Sequence, residues 1–203
     1  MMPDMHKVNL AESETTDFKL TASHDSWKIG VDGYVADHDS TITNPNNMMF
    51  KVMNFNNVVD ERIGVFAEYE TQLNTETELS VGGRLKQVGA NAGKVSHHMA
   101  AMNEMTAALV NGFNDQDKEV TELTYDFALS INTQLSESTN LYAGMGIKQR
   151  APSYQERYLW MPMEATGGLA DGKTYVGNIN LDHETAYQLD IGLEVSKNGL
   201  RIT

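Results

Sequence analysis

The sequence contains no cysteine, so it can build neither a disulfide framework nor a thiolate metal site. Basic residues are scarce. Lys and Arg number 15 against 28 Asp and Glu, for a formal net charge of −13 and a pI near 4.7. A chain this acidic repels phosphate backbones, which excludes nucleic acid as a partner. No apolar run approaches the ~18 residues of a transmembrane helix. The opening stretch MMPDMHKVNLAESETTDF lacks the basic start and apolar segment of a secretory signal, so none is expected here. Gly-x-Ser-x-Gly, His-Glu-x-x-His and paired-carboxylate motifs are also missing, and no enzyme activity is expected. The glycines of GVDGY and SVGGR precede no helix and are not phosphate loops.

What the chain has in quantity is alternation with a period of two. Trp27, Ile29, Val31, Gly33 and Val35 face one way, and Lys28, Gly30, Asp32 and Tyr34 the other. The same pattern returns in RIGVFAEYE (62–70), LSVGGRLK (79–86), ELTYDFALSI (122–131), LYAGMGIK (141–148) and YQLDIGLEV (187–195). Across the six segments the apolar face has 27 positions, none charged, while 12 of the 26 opposite positions carry charge. Strict alternation of this kind predicts strands with one oily and one polar face.

Connections alternate too. Short ones fall near 23–26, 74–77, 136–139 and 197–199; long ones near 37–59, 89–119 and 150–182. Tight turns at one end and long loops at the other describe an up-and-down meander. About 11 residues at roughly 3.3 Å, tilted by about 45°, span about 25 Å, the apolar height of an outer-membrane barrel. A soluble β-sandwich also alternates, but its turns are usually short and it has no use for so charged a second face. The expected fold is therefore all-β: one domain over residues 1–203, an antiparallel meander of about eight strands forming part of a larger transmembrane β-barrel. One short loop helix is expected near 96–110.

Two blocks in the last third add specificity. GMGIKQRAPSYQERYLW (144–160) resembles the strand-to-loop segment of TonB-dependent outer-membrane receptors, through Arg150, Pro152 and Glu156. GNINLDHETAYQLDIGLEV (177–195) is similar to a second block of that family, through Gly177, Asn178, Leu181 and Glu184, with Glu194 beyond. The stretch between them looks most like the copper-receptor branch. The resemblance implies an outer-membrane location in a Gram-negative bacterium, lipid around the barrel, and uptake of a metal or metal chelate powered by the TonB system through a plug. It also implies a barrel of 22 strands. No plug and no TonB box is found here, so the chain reads as an internal barrel fragment that would not transport by itself.

The stretch SHHMAAMNEMTAALV (96–110) raises the question of cargo. With Ser96 as N-cap, a helix here would bring Met99, Met102 and Met105 within an arc of about 120°, beside His97 and His98. Thioethers prefer Cu(I), and imidazole binds either copper state. The other long connections add Met48, Met49 and Met53, and Met161 and Met163. Copper is thus the candidate transported ligand, with no resident cofactor required. The competing reading is that these methionines, with Leu109, pack over the barrel mouth. In that case the cargo would be a siderophore or haem. His38, between Asp37 and Asp39, is expected in a solvated loop. The rival from another class is a soluble β-rich binding or adhesion module.

Overall fold

The computed structural model describes residues 6–161, 175–197 and 200–202. Its elements in chain order are β1 (Val8–His24), β2 (Trp27–Asn44), β3 (Asn47–Gln72), β4 (Thr77–Asn91), β5 (Ser96–His97), α1 (Glu104–Asn114), β6 (Val120–Ser136), β7 (Thr139–Arg150), α2 (Tyr154–Tyr158), β8 (Glu184–Lys197) and β9 (Leu200–Ile202). The long strands pair antiparallel in the order β1-β2-β3-β4-β6-β7-β8-β9, and two-residue β5 pairs with β3. This is the expected meander. The short turns lie where the sequence puts them; at the first, Asp25 takes a left-handed conformation (φ 49°) that Asp tolerates better than most residues.

Pairing register turns six separate alternations into one surface. A single row runs Trp27, Tyr69, Val81, Leu129, Met145, Leu189, all from the apolar face. The β1–β2 turn sits at the Trp27 end of this row, whereas β8 runs on from Leu189 to Lys197, eight residues further, before turning. Six strand spacings separate the two turns. Taking the turns as one level, the stagger is about 1.3 residues per strand. At about 3.3 Å per residue and about 4.8 Å between strands, that is a tilt of about 43°. Outer-membrane barrels tilt by about 35–45°.

The oily face has no cover among the described residues. Leu20, Leu189 and Ile191 are 70%, 72% and 74% exposed, and Phe18, Ile29, Ile63, Val65, Leu123 and Met145 are exposed beside them. A β-sandwich would have buried this face against a second sheet. At the turn end Trp27 packs on Tyr69 with ring centroids 4.8 Å apart, the amphipathic pair expected at a membrane boundary.

The opposite face is cross-linked by charge. Lys28 bonds Glu68 at 2.7 Å and Lys86 bonds Asp126 at 2.8 Å. Arg84 on β4 passes over β3 to pair with Asp32 on β2, one of its two nitrogens donating at 2.9 Å. It can do so because Gly64 lies beneath: a Cβ there would stand 2.9 Å from the guanidinium. Phe66 lies on this face of β3, and Lys19, Lys28 and Arg84 gather within 6.0 Å of its ring.

The hydrophobic core sits elsewhere, at the loop end. Ile42, Val52, Phe55 and Val58 of β2 and β3 meet Val95, Val110 and Phe113, then Tyr158, Leu159, Trp160 and Ile179. The described parts of all three long connections thus fold into one cap. Two expectations are corrected here. Residues 37–59 are not an open loop: β2 and β3 continue through them to a tight turn between Asn44 and Asn47, with a bulge after His38 where Asn57 takes φ 45°. The loop helix exists but is α1, starting at Glu104 with Asn103 as its N-cap rather than Ser96. Ser96 is instead paired with Met53 in β5.

Candidate metal-capture site

The helix shift decides what becomes of the methionines. Residues 98–102 form turns in which the Met99 carbonyl accepts from both Met102 N and Asn103 N at 2.9 Å. Met105 alone of the three lies in α1, so Met99, Met102 and Met105 do not share a helical face. All three are exposed. Packing does not claim them, against the gap-filler reading, but neither does the backbone converge them.

The histidines are brought together. His97 and His98 stack with centroids 4.7 Å apart, and His98 also lies 4.5 Å from the Phe50 ring. Val52 pairs with His97, and strand alternation puts Phe50 on the face shared by that pair. Burial, and then the neighbouring His98 and Lys7, hold His97 below its usual pKa of 6.5, so its ring is neutral at pH 7. Its Nδ1 accepts the Met99 N–H at 3.0 Å, which places the proton on Nε2. A metal taking His97 must displace that contact or that proton. The Nδ1 of His98 is buried and has no hydrogen-bond partner among the described residues.

The remaining candidates are scattered. Met48 and Met49 project from the β2–β3 tip, 97% and 78% exposed. Met53 pairs with Ser96, on the strand face opposite His97. Met161 packs against the cap core, as a gap-filler would, and Met163 lies outside the described residues. No group of three or more His, Asp or Glu suited to a metal occurs among the described residues, so a site here would have to recruit thioethers. His38 is not in a solvated loop: its ring stacks on Tyr154 at 4.1 Å and its Nδ1 meets the Ser13 hydroxyl at 2.9 Å.

The two sequence blocks of the last third meet in space. Arg150 grips both oxygens of Glu156 at 2.8 and 3.0 Å and reaches Glu184 at 3.1 Å. Glu156 also closes a capping box with Ser153 at the start of α2. The Arg150 hydrogen bonds, opposed by partial burial and helped by Ser153, hold the Glu156 carboxyl down at about 2. Pro152, two residues into this connection, is buried. The N–H of Gly177 donates to Leu159 O at 2.6 Å and that of Asn178 to Glu156 O at 2.9 Å. At Gly177 a Cβ would lie 2.7 Å from the Arg157 carbonyl, so the approach requires glycine.

Sequence reasoning missed Arg157 entirely. Its side chain is 2% exposed, donates to Ile179 O at 3.0 Å, and pairs with Glu122 on the charged face of β6. Tyr158 is buried beside it, donating to Lys118 O at 2.8 Å; burial raises its hydroxyl to about 12. Neither neighbour sequence nor period announces such pairs. Glu122 is 35 residues away from Arg157.

The family model described as TonB dependent receptor-like, beta-barrel, matches residues 6–203. No curated protein matches the sequence. Among solved structures, the copper transporter OprC is similar with a TM-score of 0.67 and 19% identity, covering 95% of this chain and 29% of that one. The chain therefore spans less than a third of that transporter's length, and the likeness is one of fold.

Proposed function

The chain belongs to the TonB dependent receptor-like β-barrel family, and from that membership we propose that it supplies wall and loop cap to an outer-membrane receptor that takes up copper. The charged face lines the lumen, the oily face meets lipid, and the cap stands at the mouth where cargo first arrives. In the parent receptor a plug would close the lumen and couple to TonB.

The observation carrying the copper reading is the stacked His97–His98 pair, neutral at His97, with Met99 next in sequence and Met102 and Met105 exposed nearby. A neutral His97 releases no net proton on binding a metal, which displaces the Met99 N–H contact at Nδ1 or shifts the proton off Nε2, and a thioether selects the cuprous ion. Exposed methionines on a turn are free to swing toward a bound ion. The fold likeness to a copper transporter points the same way.

The test is a Cu(I) competition titration of the full-length receptor in detergent, with wild type, His97→Ala/His98→Ala, and Met99→Leu/Met102→Leu/Met105→Leu. Either set of changes is expected to weaken binding at least tenfold. Because burial lowers the His97 pKa, wild-type binding should fall off at a lower pH than binding through an ordinary histidine. Affinity indifferent to both sets would overturn copper capture at this cap and leave a siderophore or haem chelate as the cargo.

A further inference from the structure

All the sulfur in this chain is thioether, since there is no cysteine. Among the described residues the methionines fall into three surroundings. Met161 packs against the cap core. Met145 is 54% exposed but stands on the oily face, six residues up β7 from Thr139. At about 3.3 Å per residue and a tilt of about 43°, that is about 14 Å above the turns, inside an apolar band about 25 Å tall. Lipid therefore covers it. Met99, Met102 and Met105 stand on the cap, where water reaches them, and are 36%, 70% and 76% exposed.

The segment carrying these three is fixed without their help. Ala100 and Leu109 pack against the cap core, and Val110 and Phe113 belong to it. Backbone bonds close the turn: Met99 O accepts from Met102 N and Asn103 N, and His97 O accepts from Ala100 N at 3.0 Å. Asn103 caps α1 by accepting from Thr106 N at 2.9 Å. A change confined to the three sulfurs therefore alters their chemistry and leaves the cap folded. Exposed thioether is readily oxidised, and its sulfoxide presents a hard oxygen in place of the soft sulfur lone pair.

We propose that Met99, Met102 and Met105 form an oxidation switch, in which hydrogen peroxide converts their thioethers to sulfoxides and so turns off cuprous capture. In each step a sulfur lone pair forms the S–O bond while the O–O bond of peroxide breaks. The leaving hydroxide takes the proton of the transferred oxygen and departs as water. Sulfur is oxidised by two electrons and peroxide is reduced by two. The step needs no metal, and methionine sulfoxide reductases with a thiol reverse it. The inference rests on the copper-capture reading and adds that capture depends on the oxidants reaching the mouth.

The test treats the full-length receptor in lipid nanodiscs with hydrogen peroxide, quenches with catalase, maps sulfoxides by peptide mass spectrometry and titrates Cu(I) anaerobically. Sulfoxide is expected at Met102 and Met105 at least about tenfold faster than at Met161 or Met145. Met99 should oxidise ahead of Met145, although Met145 is the more exposed in the protein alone. Cu(I) affinity should fall about tenfold and return after treatment with both sulfoxide reductases. Met48→Leu/Met49→Leu should respond as wild type does, whereas the residual affinity of Met99→Leu/Met102→Leu/Met105→Leu should be unmoved by peroxide. Hydrogen exchange at Gly177 and Asn178 should not change, as it would if oxidation opened the cap. Oxidation of Met102 and Met105 no faster than that of Met161, or an affinity within about twofold of the untreated receptor once all three are sulfoxides, overturns the switch alone. A receptor that binds no Cu(I) before peroxide overturns the capture reading, and the switch with it.

Discussion

Replacing Glu122 by glutamine removes one charge without changing shape, and its effect follows from where Arg157 sits. The Arg157 side chain is 2% exposed and that of Glu122 is 16% exposed, so little water is available to replace the lost carboxylate. Ile179 O holds one terminal nitrogen at 3.0 Å, but Nε already lacks a partner among the described residues. His183 lies 3.7 Å from the second oxygen of Glu122 and would add no negative charge. Breaking a buried ion pair by neutralising one partner costs about 3–5 kcal/mol. Glutamine still offers an oxygen acceptor, so about 3 kcal/mol is the working value, roughly 150-fold in the opening equilibrium of the cap. The amides of Gly177 and Asn178, which close the cap onto Leu159 O and Glu156 O, report that opening directly by hydrogen exchange. Their protection should fall by about two decades in Glu122→Gln, while amides of β6 and β7 below the cap hold theirs. The double change Glu122→Leu/Arg157→Met, which removes both charges, should restore most of the loss. Protection within twofold of wild type in Glu122→Gln would refute the argument that this pair anchors the cap.

Two further outcomes follow from named contacts. Glu156 titrates lower in the folded cap (about 2) than the usual 4.5, so its contribution is whole above about pH 4.5 and is lost as pH falls toward 2. Its side chain is 39% exposed, which discounts the contribution to about 1–2 kcal/mol; Glu156→Gln should flatten the acid limb of cap unfolding followed by Trp160 fluorescence, and an unchanged limb would assign that limb to other carboxylates. Gly64→Ala should lower stability by about 1 kcal/mol through the displaced Arg84–Asp32 pair. On an Arg84→Ala background the same change should be neutral or slightly stabilising, since alanine costs the unfolded chain some freedom; equal losses on both backgrounds in thermal unfolding would show that Gly64 serves some other purpose.

The parts of this protein that were legible in advance are those whose cause is local. A strand sends successive side chains to opposite faces whatever surrounds it, so the oily and charged faces of Leu79–Lys86 or Tyr187–Val195 could be read from residue order. The extension of β2 and β3 through residues 37–59 was hidden because their register shifts between His38 and Ser40 and again between Ser40 and Thr41. Each shift breaks the period of two, so that Asn54 and Phe55 are adjacent and both buried. The helix start was misread because Ser96 and Asn103 both suit an N-cap. Pairing of Ser96 with Met53, and the Val95 N–H bond to the Asn114 side chain, chose between them.

Sequence by itself therefore determined that this is a wall of two-faced strands joined by tight turns at one end, because period is a property of the covalent chain. Only tertiary structure decided that His38 stacks on Tyr154, that Phe50 covers His98, and that Arg157 finds Glu122, because those contacts join segments far apart along the chain, whose meeting depends on register and on closure of the cap. The tilt of the wall belongs to the second group as well: it exists only as a stagger summed over strands.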